Sequence, residues 1–220
     1  MTLRDQLHRD GYILLRQAIP ADWLDALRDA FDAGSRPSHE WPLPRRADWL
    51  HSLLDTDPTI QAVCRLPAVL AAVGALIGER FFLSQVEGRD PLPGGGYQRL
   101  HRDMWVERPG DSIAAMAYFD DYGPENGATR LIPGSHRIEA IDLDDETPAI
   151  QLSGHAGDVL VFDVDLVHGA SLNPSGARRR SILAGYSAER TYASLQQTEH
   201  LRNVRMDTRE RFEPADFTLP

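Results

Sequence analysis

"GDVLVFDVDLVHGASLNPSGARRRSILAGY", residues 157–186, decides how this chain folds. Two apolar, β-rich runs, "VLVF" and "SILAGY", flank the turn formers "NPSGA". Such runs bounded by Gly, Pro, Asn and Ser read as strands. His168 is read as ending the first strand, "GDVLVFDVDLVHG", and a histidine closing a buried strand can reach a barrel mouth. Arg178, Arg179 and Arg180 open the next strand, with Arg179 eleven residues beyond His168. One strand face looks inward, so either Arg179 alone or Arg178 with Arg180 points inside. Arg179 shares its face with Ser181, and a guanidinium with a hydroxyl can hold one carboxylate.

Outward from that stretch, the texture is β from residue 81 to about 190. "RFFLSQVEG", "YQRLHRDMW", "SIAAMAYFDDY", "ATRLIPG" and "AIQLSG" alternate with "PLPGGG", "GPENGA" and "SGHAGD". Short strands punctuated this way indicate a sandwich or barrel. Asn126-Gly127 favours positive φ and Pro133-Gly134 makes a second turn, so "ATRLI" is a short strand between turns. Residues 1–80 read as mainly helical. "TLRDQLHRDGY" ends at Gly11, "DWLDALRDAFDAG" repeats its apolar residues at helical spacing up to Gly34, and "DPTIQAVCRLPAVLAAVGALIG" gives one or two helices broken at Pro67. "YILLRQAI" is a short strand, "SRPSHEWPLPRR" a loop, and residues 191–220 a tail. Helices followed by strands make a single α+β domain over 1–220, its helices packed on one sheet.

Composition excludes several classes. The net charge is −10, which argues against nucleic acid as a partner. Every basic side chain is arginine; the chain has no lysine, a bias expected of a GC-rich genome. Cys64 is the only cysteine, so neither an internal disulfide nor a cysteine zinc site can form. The first residues lack the apolar run of a signal peptide, and the longest apolar stretch, 66–78, is too short to span a bilayer. A cytoplasmic, reducing compartment without membrane partners is the expectation.

"LHRD" occurs twice, at 7–10 and 100–103. Residues two apart diverge by about 200° on a helix but share a face on a strand. His8 and Asp10 lie in a helical context and are expected to bind nothing. His101 and Asp103 follow an extended "YQRL" and can converge on one ion. Of the other histidines, His168 ends an apolar run, His136 and His155 lie in turns with His136 the nearer to a pocket, and His39, His51 and His200 look like surface residues. His101, Asp103 and His168 make two imidazoles and one carboxylate, the facial arrangement that suits Fe(II). Three open positions remain, two for a chelating 2-oxo acid and one for O2. The far carboxylate of that acid requires an arginine.

These residues resemble a family. "QRLHRDMW", "PENGATRLIPGSHR", "GDVLVF" and "HGASLNPSGARRRSILAGY", in that order, are similar to phytanoyl-CoA dioxygenase (PhyH)-type Fe(II)/2-oxoglutarate oxygenases, as is the opening "LHRDGYILLRQAIPADWLDALRDAF". The resemblance implies a double-stranded β-helix, a cupin-like jelly roll. It places His101, Asp103 and His168 on the iron ligands and Arg179 on the C5 carboxylate of 2-oxoglutarate, with Gln98 and Thr129 also touching that cosubstrate. It implies Fe(II), 2-oxoglutarate and O2 as cofactors, and hydroxylation of an unactivated C–H bond with release of succinate and CO2. Asp103 argues for oxygenation over the halogenation of relatives with a small residue there. Phe119 stands where several members carry a tryptophan near the cosubstrate, and the chain is short for the family.

A small molecule, plausibly of bacterial secondary metabolism, is the expected substrate; the acidic balance argues against a polyanionic or CoA-linked one. Its candidate contacts are Trp105, Arg102, Gln85, Glu87, Tyr97 and Arg130, beside the ligands or on neighbouring strands. Desaturation, epoxidation, epimerisation or cyclisation remain open, as do a cupin enzyme that does not use 2-oxoglutarate and a non-catalytic jelly-roll binding module.

Overall fold

Thr2 starts the first helix. Its hydroxyl accepts from the Asp5 amide while the Asp5 carboxylate accepts from the Thr2 amide, a reciprocal cap on α1, Leu3–Asp10. Gly11 ends α1 in the left-handed region at φ 77°. The computed structural model describes residues 2–103 and 110–219. Three further helices follow: α2 Leu24–Gly34, α3 Pro58–Val63 and α4 Pro67–Ile77. Asp57 caps α3, and Pro67, expected as a break, occupies the first turn of α4, where its missing N–H costs nothing.

The described residues form eleven strands: β1 Tyr12–Leu15, β2 Ser35–Arg36, β3 Trp49–Ser52, β4 Phe81–Pro91, β5 Gln98–His101, β6 Ser112–Tyr118, β7 Thr129–Leu131, β8 Ile150–Gln151, β9 Val159–Asp163, β10 His168–Ala170 and β11 Ser181–Ala188. One sheet has the order β1-β9-β6-β11-β4-β3-β2 and the other β5-β10-β7-β8, with antiparallel pairing throughout. The large sheet is buried on both faces, which is why its strands read as nearly continuous apolar runs. Ile113, Ala115, Val159, Val161 and Ile182 join Leu7, Leu27, Phe31, Ile60 and Val73 in a core beneath the helices. Ala114, Tyr118, Leu160, Phe162 and Leu183 face the other way and meet Leu131 and Leu152 of the small-sheet side. That second cluster is the interior of the jelly roll. Each fully buried Leu or Phe in these layers contributes roughly 1.5–3 kcal/mol.

Three local expectations need correction. "GDVLVFDVDLVHG" is two strands in different sheets. β9 stops at Asp163, whose carboxylate accepts from the Asp165 amide and whose carbonyl accepts from Leu166, and that turn carries the chain across to β10. His168 therefore opens a strand of the small sheet rather than closing one of the large sheet. Residues 49–52, within the segment expected to be helical, form β3 against β4. The expected tail carries two short helices, α5 Tyr192–Gln197 and α6 Glu199–Arg202. Asp55 anchors the chain beyond them, accepting from the amides of Arg205 and Met206 and from the Arg205 guanidinium.

Candidate active site

β5 and β10 lie side by side with His101 opposite His168, their ring centroids 4.6 Å apart. The Asp103 amide donates to the Val164 carbonyl at 3.2 Å, so the turn that changes sheets also holds this aspartate. Asp103 Oδ1 lies 3.4 Å from His101 Nε2 and 3.5 Å from His168 Nε2. His101 Nδ1 is 2.7 Å from the Arg99 carbonyl and His168 Nδ1 is 2.8 Å from the Leu166 carbonyl. A nitrogen facing a carbonyl must carry the proton, which leaves both Nε2 lone pairs free for a cation. One donor atom from each of the three side chains lies within 4.8 Å of the others, the only such group among the described residues. Burial acts to raise the Asp103 carboxyl, but the adjacent His101 and His168 rings and the nearby Arg89 outweigh it and hold it below the usual range. Asp103 is anionic at neutral pH.

Gly169 allows the two histidine strands to approach. A Cβ there would stand 2.6 Å from the Gln98 carbonyl oxygen and 3.0 Å from that of Arg99, both backbone atoms. Gly169→Ala is expected to cost about 1–3 kcal/mol and to weaken Fe(II) binding as β10 lifts off β5. Denaturant unfolding and metal titration check both effects.

The choice among the three arginines is settled by their partners. Arg178 pairs with Asp32 and Asp90, and Arg180 with Asp32 and Asp120. Arg179 turns inward and is 1% exposed. Its amide donates to Asp90 and its Nε to the Asn126 carbonyl, its guanidinium lies 5.6 Å from the Trp49 ring centroid, and its buried Nη2 has no partner among the described residues. Burial pushes this guanidinium below its usual range. A buried N–H pair without a protein acceptor is suited to receive the oxygens of an anion. The Thr129 hydroxyl is 2.9 Å from the Tyr118 hydroxyl, and Ser181 sits opposite Tyr118 in register while donating to the Arg89 carbonyl. Phe119 is buried under the helices, so Tyr118 is the aromatic facing the interior at this point of β6. A one-residue shift on a strand exchanges faces.

A cavity of about 290 Å³ opens beside Asp103, lined in part by Gln85, Glu87, Arg89, Leu183 and Arg202. A second of about 220 Å³ adjoins it through Arg45, Glu87 and Arg89 and is walled by Trp49, His51 and Gln98. The buried Glu87 carboxylate is held at 2.6 Å by both Arg45 and Arg89. Burial opposes its ionisation, but Arg89, His51 and Arg45 more than offset that and keep it charged. Gln85, Glu87 and Gln98 are thus brought to the cavities. Arg102 is not; it points the other way, donating to the carbonyls of Ser135 and Ile138. Tyr97 and Arg130 pack together outside the small sheet, both bonded to Glu146. Trp105 lies outside the described residues. His136 approaches the His8 carbonyl across Gly11, away from the triad. Sequence reading passed over Trp49, Arg45, Arg89, Tyr118 and Arg202; only the alternation Ala114, Met116, Tyr118 along β6 offered a signal, for the tyrosine.

Asp165, buried in the turn before His168, has its carboxyl pushed up to about 6 by burial and by the neighbouring Asp163, with Arg102 and His136 opposing. An acid raised in the folded state contributes stability below its unfolded value of about 3.9 and loses it as pH rises through the folded value. Asp165→Asn is therefore expected to raise Tm above about pH 7 and leave it nearly unchanged below about pH 4. Thermal melts at both pH values test this.

The family model of phytanoyl-CoA dioxygenase (PhyH) matches residues 7–181. The chain belongs to the phytanoyl-CoA dioxygenase family. Among curated relatives, it is 36% identical over 104 residues to the Fe(II)/2-oxoglutarate-dependent dioxygenase nvfF of Aspergillus novofumigatus, covering 43% of this chain and 35% of that protein. It is 25% identical over 194 residues to the iron/alpha-ketoglutarate-dependent dioxygenase ausU of Aspergillus calidoustus, covering 76% and 63%. The chain thus spans less than two thirds of the length of these two relatives. Of solved structures, the epimerase SnoN from nogalamycin biosynthesis superposes with TM-score 0.69 at 21% identity, over 84% of this chain and 82% of that one. HygX from Streptomyces hygroscopicus, with nickel and 2-oxoglutarate bound, gives 0.71 at 16% over 86% and 88%. At these identities the likeness concerns the fold, the double-stranded β-helix. No helix among the described residues is long and apolar enough to cross a membrane.

Proposed function

We propose that this chain is an Fe(II)- and 2-oxoglutarate-dependent oxygenase that hydroxylates an unactivated C–H bond of a small molecule, with succinate and CO2 as coproducts. The observation that carries the reading is the buried Arg179 guanidinium with its unpartnered Nη2, in a chain that also gathers two imidazoles and a carboxylate on one face. The donor set suits a divalent iron and the arginine suits a dicarboxylic cosubstrate. His101, Asp103 and His168 hold the metal through two Nε2 atoms and one carboxylate oxygen. Arg179 receives the distal carboxylate of 2-oxoglutarate, with Thr129, Ser181 and Gln98 as neighbouring hydroxyl and amide groups. Bound iron(II), with 2-oxoglutarate and O2, supplies the oxidising power for the C–H bond.

The chain's own residues set the geometry. The Arg99 and Leu166 carbonyls fix the imidazole tautomers and ring orientations. Arg89 holds positive charge beside Asp103 and Glu87, which keeps both carboxylates ionised and oriented. Leu195 and Arg202 of α5 and α6 wall the cavity on one side. Hydroxylation is favoured over halogenation because Asp103 occupies the third ligand position. The all-arginine cation set and the nogalamycin-pathway neighbour support a setting in bacterial secondary metabolism.

Anaerobic titration with Fe(II) and then 2-oxoglutarate is expected to give the weak visible metal-to-ligand charge-transfer band of the chelate. His168→Ala removes it. A protein that binds Fe(II) but gives no band with 2-oxoglutarate is not an oxygenase of this type.

A further inference from the structure

The cavity beside Asp103 is lined by three arginines but holds few negative charges to match them. Asp103 is committed to the metal site. Glu87 is shared by Arg45 and Arg89. Arg202, at the end of α6, has no carboxylate within ion-pair distance among the described residues. Its three hydrogen bonds all go to neutral acceptors: Nη1 to the Ser84 carbonyl and the Gln85 side-chain oxygen, Nη2 to the Leu195 carbonyl. Its Nε is buried without a partner among the described residues. A guanidinium has five N–H donors, so Nε–H and one Nη2–H remain unspent.

Several partly exposed arginines elsewhere in the fold are paired with acids. Arg205 has Asp55, Arg180 has Asp120, and Arg178 has Asp90. Pinning α6 to β4 needs only donors to two backbone carbonyls and an amide, which calls for no charge. Burial pushes the Arg202 guanidinium below its usual range, with Glu199 opposing through space but not within ion-pair distance. The cavity floor near it is polar too: the hydroxyls of Ser84, Ser112 and Ser187 form a chain, 3.2 and 3.3 Å between neighbours. Ile113, Ala114, Val164 and Leu183 supply apolar wall.

We infer that this cavity takes a small carboxylic acid and that Arg202, with the Gln85 amide beside it, receives the carboxylate and orients the rest of the molecule toward Asp103. The inference rests on the oxygenase reading above and names the substrate class for it. The 290 Å³ volume limits the acid to a small molecule, and one uncompensated guanidinium calls for one anionic group, not several.

The probe is a panel of small carboxylic acids, each paired with its methyl ester, added to protein loaded anaerobically with Fe(II) and 2-oxoglutarate. Binding is read by calorimetry, and stimulation of succinate formation is read after O2 is admitted. Acids that stimulate succinate formation are expected to bind roughly tenfold to a hundredfold more tightly than their esters, the range of a charge-assisted hydrogen bond. Arg202→Met is expected to erase that acid-to-ester ratio, and Arg202→Lys to retain part of it. A variant that merely loosens α6 weakens both members of a pair and leaves the ratio intact. Equal binding of acids and esters, a ratio unchanged in Arg202→Met, or no acid bound by protein that still shows the charge-transfer band each overturns the proposal. Loss of the band in the unmodified protein overturns instead the oxygenase reading beneath it.

Discussion

Asp103→Ala is expected to abolish 2-oxoglutarate-dependent turnover, while Asp10→Ala, in the other copy of Leu-His-Arg-Asp, leaves it unchanged. Asp103 is the one anion of the metal site, held by the Val164 carbonyl with its carboxylate about equally far from two imidazole nitrogens. Its removal leaves two neutral ligands for a divalent ion. Losing an outer hydrogen-bond partner of a metal ligand already costs about 10–100-fold in affinity, so losing the ligand itself is expected to exceed about 100-fold. Asp10 ends α1 and pairs with Arg9 at the surface, where solvent screens the contact. Fe(II) titration of both variants, followed by succinate assay, separates them. Turnover surviving in Asp103→Ala would sink the assignment of the triad.

Arg179→Met is expected to act in opposite directions on binding and on stability. Arg179 is 1% exposed and, among the described residues, one of its buried nitrogens has no hydrogen-bond partner and no acid pairs with its charged head. Asp90 bonds the Arg179 backbone amide, not the guanidinium. A buried charge without a partner is destabilising until its anion arrives. Methionine fills similar space without that cost, so the variant is expected to be more stable in the absence of 2-oxoglutarate, by about 1–3 kcal/mol. Affinity for 2-oxoglutarate is expected to fall by about 100-fold or more, since two charge-assisted bonds disappear. Thermal melts with and without 2-oxoglutarate read both effects at once. A lower Tm with unchanged cosubstrate affinity would remove Arg179 from the site.

Much of this site could be read from local pattern. Residues two apart on a strand share a face, which paired His101 with Asp103 in the sequence, although β5 ends at His101 and Asp103 is placed beyond it by the Val164 carbonyl; "GDVLVF" and "SILAGY" announced buried strands. The inward turn of Arg179 was one of two open choices until Asp32, Asp90 and Asp120 were seen to engage Arg178 and Arg180. Other features depend on contacts far apart in sequence. The facing of Tyr118 over Phe119 is a matter of one residue in register. Glu87 gains its meaning from Arg45, forty-two positions away, and Arg202 from Ser84, one hundred and eighteen away. Tyr97 and Arg130 looked like cavity residues by neighbourhood, but Glu146 draws both to the outer face. β3 was hidden because four residues among prolines and arginines carry too little periodicity to declare a strand.

The turn 163–166 crosses from one sheet to the other and ends just short of His168, while its Val164 carbonyl holds Asp103. The two imidazoles are neighbours within the small sheet, and Asp103 joins them where this turn from the large sheet holds its amide. An ion seated there acts as a clasp on the closed jelly roll. By mass action, an ion present at 100 times its dissociation constant adds about 2.7 kcal/mol to the closed form. Metal affinity in this protein is thus also a gauge of how firmly the two sheets are shut, and substitutions far from the triad that ease them apart are registered first as a loosened hold on the ion.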